Sequence, residues 1–217
     1  MADQYVCRLF LRKLVGIQRP AAVIAKRTMS TDRKLTTLDL QTMKKQGKKI
    51  SVVTAYDYPS AKHAENADFD VVLVGDSLGM VVLGYETTLS VTMEDMLHHC
   101  KAVRRGAPSR LIVGDMPFGS YESGPDEALK NAIRFIKESG VDAIKLEGGS
   151  NRVCTVRKLV DSGVAVMGHI GLTPQGIGVL GGFRAQGRTA VKARSIIDDA
   201  VALQDAGAFA IGESEAN

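Results

Sequence analysis

The sequence predicts an α/β protein built as a (β/α)₈ barrel, incomplete here, with about six of the eight strands. Three observations predict it. Short runs rich in valine and isoleucine alternate with helical patterns, the signature of parallel strands buried on both faces and joined by right-handed crossovers. Three of those runs end in an acid: VVLVGD at 71–76, LIVGD at 111–115 and AIKLE at 143–147. Chemistry distributed over several strand ends favours a barrel rim over the single switch point of a doubly wound sheet.

The elements follow in order. Leu35 to Gln46 reads as a helix, with Thr36 or Thr37 near its start and Gly47 as its stop. Strands are predicted at 51–56, 71–75, 111–114, 142–146, 164–168 and 208–212. In the helix opening at Pro125, residues Leu129, Ala132, Ile133 and Ile136 share one face, with Gly140 as its C-terminal stop. Ile196, Ile197, Ala200 and Leu203 form a face that ends at Gly207. A barrel takes eight strands and about 250 residues. Six are legible within these 217 residues.

Composition narrows the function. The formal charge is +4, but residues 1–31 hold Arg8, Arg12, Lys13, Arg19, Lys26 and Arg27 against a single acid, Asp3. The rest carries 22 basic and 23 acidic residues, a net of −1, so a nucleic-acid partner is not expected. No apolar run is long enough to cross a membrane. The leader is rich in arginine, poor in acids, and sets Leu9, Phe10, Lys13 and Leu14 at amphipathic spacing, which predicts a mitochondrial transit peptide over 1–31 ahead of a catalytic domain over 35–217. Cys7, Cys100 and Cys154 form no CxxC pair, so neither a disulfide framework nor a zinc site is indicated.

The acids Asp76, Asp115 and Glu147 are the candidate ligands of Mg²⁺, which prefers hard oxygen donors. For any one of them, capping the following helix is an equally good explanation, as for Asp76 before Ser77. Lys145 lies two residues before Glu147, hence on the same strand face, where it forms an ion pair or holds a substrate carboxylate. His169 sits at the rim as a donor candidate. Glu94 and His98 have metal-ligand spacing, although a solvated helix face explains them more simply. The glycines of 176–181 match GxGxxG formally, but seven residues separate them from the preceding strand, which favours a glycine-rich loop over the barrel mouth, with Arg184 and Arg188 as anion contacts.

At these residues the chain resembles the ketopantoate hydroxymethyltransferase (3-methyl-2-oxobutanoate hydroxymethyltransferase) family of pantothenate biosynthesis. The matching stretches are TAYDY at 54–58, VGDSLGM at 74–80, AVRRGAP at 102–108, GDMPF at 114–118, KLEGG at 145–149, GHIGLTPQ at 168–175 and GGFRAQGR at 181–188. The resemblance implies a (β/α)₈ barrel in a homo-oligomer, usually a decamer. The implied reaction moves a one-carbon unit from 5,10-methylenetetrahydrofolate to 3-methyl-2-oxobutanoate through Mg²⁺-assisted enolate formation. It further implies that Asp76, Asp115 and Glu147 serve the metal, and that Asp76, Ser77, Asp115 and Lys145 hold the 2-oxo acid.

One departure stands out. The family places a glutamate base at the end of strand six, where this chain reads Ala210-Ile211-Gly212-Glu213-Ser214-Glu215. The catalytic position falls on Ser214, and strand alternation turns Glu213 and Glu215 to the other face. No catalytic base is therefore assigned. Two alternatives to a working transferase remain: a C-terminally truncated, inactive form acting as an oligomer partner, and a related Mg²⁺-dependent barrel of the isocitrate lyase and phosphoenolpyruvate mutase group. The GHIGLTPQ and GGFRAQGR blocks argue against the second.

Overall fold

The computed structural model describes residues 33–176, 178 and 187–214. The leader, most of the glycine-rich loop with Arg184, and Glu215 lie outside the described residues. The described residues belong to one compact unit. Helix α1 (Thr37–Lys45) is followed by β1 (Val52–Thr54), α2 (Tyr58–Asn66), β2 (Val71–Val74), the short α3 (Leu78–Val81), α4 (Met93–Gly106) and β3 (Leu111–Asp115). Then come α5 (Pro125–Arg134), β4 (Ala143–Glu147), α6 (Val153–Asp161), β5 (Val166–Gly171), α7 (Ala190–Asp205) and β6 (Ala210–Ser214).

Among the described residues the six strands are all parallel and pair in chain order, β1 to β6. The sheet is an open, strongly curled half-barrel wrapped by helices, an incomplete (β/α)₈ barrel. Each strand sends alternate residues to opposite faces. Val72, Val74, Ile112, Ile144, Leu146 and Val166 pack outward beneath the helices, whereas Val71, Leu111, Val113 and Ala143 pack on the inner side with Leu40 and Met43 of α1. The inner row of β3 and β4 then continues toward the C-terminal end as Asp115, Lys145 and Glu147. The rows that build the floor of the barrel thus deliver the polar side chains to its rim.

Local chemistry sets the helix ends. Thr36, Asp57 and Thr92 each close a capping box on α1, α2 and α4 through Asp39, Ser60 and Asp95. Pro125 opens α5, which widens into a π-turn over Phe135–Ser139 and stops at Gly140 in the left-handed region (φ 71°). Beneath the rim, Phe135 presses on Gly114, where a Cβ would stand 2.7 Å from its ring.

Several expectations are corrected. Ile133 and Ile197 are exposed, because the apolar stripes of α5 and α7 run through Ala128 and Ala132 and through Ile196, Ala200 and Leu203 instead. β5 begins two residues later than expected and runs through His169, and β3 and β4 include their terminal acids. β1 is shorter than 51–56 and β6 lies two residues further along than expected. Pairing with neighbours, which hydropathy does not report, fixes these ends.

Candidate active site

Parallel register assembles the rim. Asp115 pairs with Lys145 across β3 and β4, and Glu147 pairs with His169 across β4 and β5. Residues in register on parallel strands share a face, so the four side chains meet. Lys145 Nζ lies 2.7 Å from Asp115 Oδ1 and 3.9 Å from Glu147 Oε1. His169 Nδ1 lies 3.1 Å from Glu147 Oε1, and its Nε2 lies 2.8 Å from Ser214 Oγ. Asp76 follows Gly75 just beyond β2, and its backbone N–H donates to Asp115 Oδ2 at 3.2 Å. Its carboxylate caps no helix: Oδ2 accepts from Gln175 Nε2 at 2.9 Å. The Ser77 hydroxyl contacts Tyr56 OH at 2.9 Å.

Gln175 and Tyr121 carry no charge and are missed by a search for ligands and bases. The backbone N–H of Gln175 donates to Glu147 Oε2 at 3.0 Å, and its Nε2 also reaches the Met116 carbonyl at 2.9 Å. Tyr121 OH donates to Gln175 Oε1 and accepts from the Glu147 N–H. Arg152 lies over the Tyr121 ring, 4.9 Å from its centroid. The only sequence signal was position, Gln175 closing GHIGLTPQ and Tyr121 following GDMPF.

The electrostatics are unbalanced. Asp115 is 1 % exposed and sits among Asp76, Lys145 and Glu147, all buried. Burial pushes the Asp115 carboxyl well above its ordinary range, against the pull of Lys145 and with the push of Asp76 and Glu147. Burial likewise raises Asp76. Lys145 is held above its ordinary value, since three carboxylates outweigh its own desolvation. Glu147 is lowered, because its bonds to His169 and the nearby Lys145 outweigh burial. Burial and Lys145 together lower His169.

Among the described residues, no three His, Cys, Asp or Glu side chains stand together as a ligand group. The acids are engaged instead by neighbours: Asp115 and Glu147 by Lys145, Asp76 and Glu147 by Gln175, and Glu147 by His169. The donor chemistry nevertheless fits a hard dication: three carboxylates share one ammonium in a buried space, and added positive charge would offset the excess. Glu94 pairs with Arg134 on the outside of α4, so the Glu94–His98 spacing marks a solvated face. His99 turns inward, with Nδ1 2.6 Å from the Tyr56 carbonyl.

Comparison with known proteins bears on the family and the fold. The family model for ketopantoate hydroxymethyltransferase matches residues 34–212. The chain is 54 % identical over 179 residues to 3-methyl-2-oxobutanoate hydroxymethyltransferase of Heliobacterium modesticaldum, covering 82 % of this chain and 65 % of that protein. It is 52 % identical over 181 residues to the Arabidopsis thaliana protein named 3-methyl-2-oxobutanoate hydroxymethyltransferase 1, mitochondrial, covering 83 % and 52 %. The chain thus spans less than two thirds of the length of these relatives. Among solved structures, a phosphonopyruvate hydrolase superposes with a TM-score of 0.64 at 14 % identity (84 % of this chain, 64 % of that one), and a 2,3-dimethylmalate lyase with 0.60 at 16 % (83 % and 62 %). At such identities the likeness is one of fold, whereas the sequence relatives decide the family. This chain belongs to the ketopantoate hydroxymethyltransferase family.

Proposed function

We propose that the rim binds 3-methyl-2-oxobutanoate and serves hydroxymethyl transfer from 5,10-methylenetetrahydrofolate to give 2-dehydropantoate. The observation that carries this reading is the buried Asp115–Lys145 pair flanked by Asp76 and Glu147, a site with one fixed cation and surplus carboxylate. In this reading Asp76, Asp115 and Glu147 hold Mg²⁺, while Asp76, Ser77, Asp115 and Lys145 hold the 2-oxo acid. The cation when bound supplies Lewis-acid stabilisation of negative charge on the keto oxygen, which acidifies the C3 proton. The Lys145 ammonium offers charge to the substrate carboxylate, and the Ser77 hydroxyl, placed by Tyr56 OH, offers a hydrogen bond to substrate oxygen. Burial of the pair takes these groups out of water, and their attraction is stronger in the lower dielectric of the interior.

A second reading is a catalytically inactive form that acts only as an oligomer partner. Ser214 favours it, because this hydroxyl stands against His169 where the family resemblance calls for an acid, and a serine hydroxyl is a poor acceptor for a carbon-bound proton. Incubating the 217-residue chain with Mg²⁺ and 3-methyl-2-oxobutanoate in D₂O separates the two. Loss of the C3 proton signal by NMR, followed by 2-dehydropantoate on adding the folate, supports the transferase. Absence of both exchange and product, whether or not the substrate binds, overturns the transferase reading and supports the partner.

We also propose that residues 1–31 direct import into mitochondria and precede a catalytic domain over 35–217. Support comes from the arginine-rich, acid-poor composition of that segment and from the mitochondrial name of the Arabidopsis relative. Diffuse fluorescence from a reporter fused to residues 1–31 would refute the targeting. Homo-oligomerisation, with the decamer as the expected size, is tested by light scattering of the purified chain.

A further inference from the structure

Gln175 stands where four rim segments meet, and its side-chain orientation is chemically determined. The Met116 carbonyl and the Asp76 carboxylate both accept, so the group facing them is the amide NH₂. Oε1 must then face a donor, and Tyr121 OH supplies it. The same phenol oxygen accepts from the Glu147 N–H, which locks Tyr121 to the end of β4. Gln175 thereby takes one oxygen from each of two acids on different strands: Asp76 Oδ2 through Nε2, and Glu147 Oε2 through its backbone N–H. Both Gln175 and Tyr121 are buried, so these bonds are not exchanged with water.

We infer that Gln175, oriented by Tyr121, is a positioning residue that aims the Asp76 and Glu147 carboxylates for a divalent cation. The inference rests on the metal reading above. Carboxylates that bind metals are themselves oriented by hydrogen-bond partners, and loss of such a partner lowers metal affinity about 10–100-fold. The amide engages Asp76 without adding charge, so the surplus negative charge of the rim is preserved for the cation.

The test is Mn²⁺ titration of the full chain, following free Mn²⁺ and the bound-ion spectrum by EPR, on the unsubstituted protein, Gln175→Met and Tyr121→Phe. Gln175→Met keeps the volume and the backbone bond to Glu147 but removes the amide. It is expected to weaken Mn²⁺ binding about 10-fold or more and to change the bound-ion spectrum. Tyr121→Phe keeps the ring against Arg152 and removes only the orienting hydroxyl. A smaller loss in the same direction is expected, and this variant carries the test if the methionine variant does not fold. A purely structural role would lower the thermal midpoint and leave affinity and spectrum of the folded fraction unchanged, which overturns the inference alone. Absence of Mn²⁺ binding by the unsubstituted chain overturns the metal reading together with the inference.

Discussion

The imidazole Nε2 of His169 stands 2.8 Å from the hydroxyl of Ser214, across the β5–β6 register. Because Glu147 is held ionised and accepts from Nδ1, the other ring nitrogen is the one that faces the serine. Ser214 is therefore turned toward the rim, while Glu213, its neighbour, is exposed on the other face. Position 214, not position 213, is where a base would reach the site.

Ser214→Glu is accordingly expected to raise C3–H exchange of 3-methyl-2-oxobutanoate about 100-fold or more, the range for a positioned general base. The measurement is deuterium exchange by NMR with Mg²⁺ present. An unchanged rate would show that position 214 does not reach the reacting carbon.

Lys145→Met leaves three buried carboxylates without their ammonium. Removing one partner of such a pair costs about 3–5 kcal/mol, so the urea midpoint should fall clearly. Adding Asp115→Asn to that variant should recover part of the loss, and strict additivity of the two changes would argue against the pairing.

Mg²⁺ stabilisation should depend on pH. An acid raised in the folded state binds more protons folded than unfolded, so stability falls as pH climbs from the ordinary carboxylate pKa toward the elevated one. Asp115 and Asp76 are both raised, which makes the metal-free chain less favoured as they ionise. A bound dication offsets that penalty only where the acids are ionised. The gain in thermal midpoint on adding Mg²⁺ should be larger at pH 7.5 than at pH 5, and an equal gain at both would contradict the assignment.

Phe135→Ala tests the support of the rim from below. This side chain is fully buried against Gly114, one residue before Asp115, and its loss should cost about 3–5 kcal/mol in urea unfolding. A change under 1 kcal/mol would mean that the ring does not brace β3.

The sequence by itself determined the parallel βα alternation, the common rim of Asp76, Asp115 and Glu147, and the shared face of Lys145 and Glu147. Each follows from short-range rules: apolar runs of strand length, acids at their ends, and a two-residue side-chain period. It also singled out Ser214 by its departure from the family pattern. Only the tertiary structure decided which side chains those acids engage. Register across β3–β4 and β4–β5 set Lys145 against Asp115 and His169 against Glu147, and no local pattern encodes register between strand positions about 20 to 30 residues apart. The contacts of Gln175 were equally hidden, since it lies 99 residues from Asp76 in the chain and a neutral amide gives no periodic or charge signal. The exposure of Ile133 and Ile197 has the same origin: helical spacing offers several apolar stripes, and packing against the sheet selects one of them.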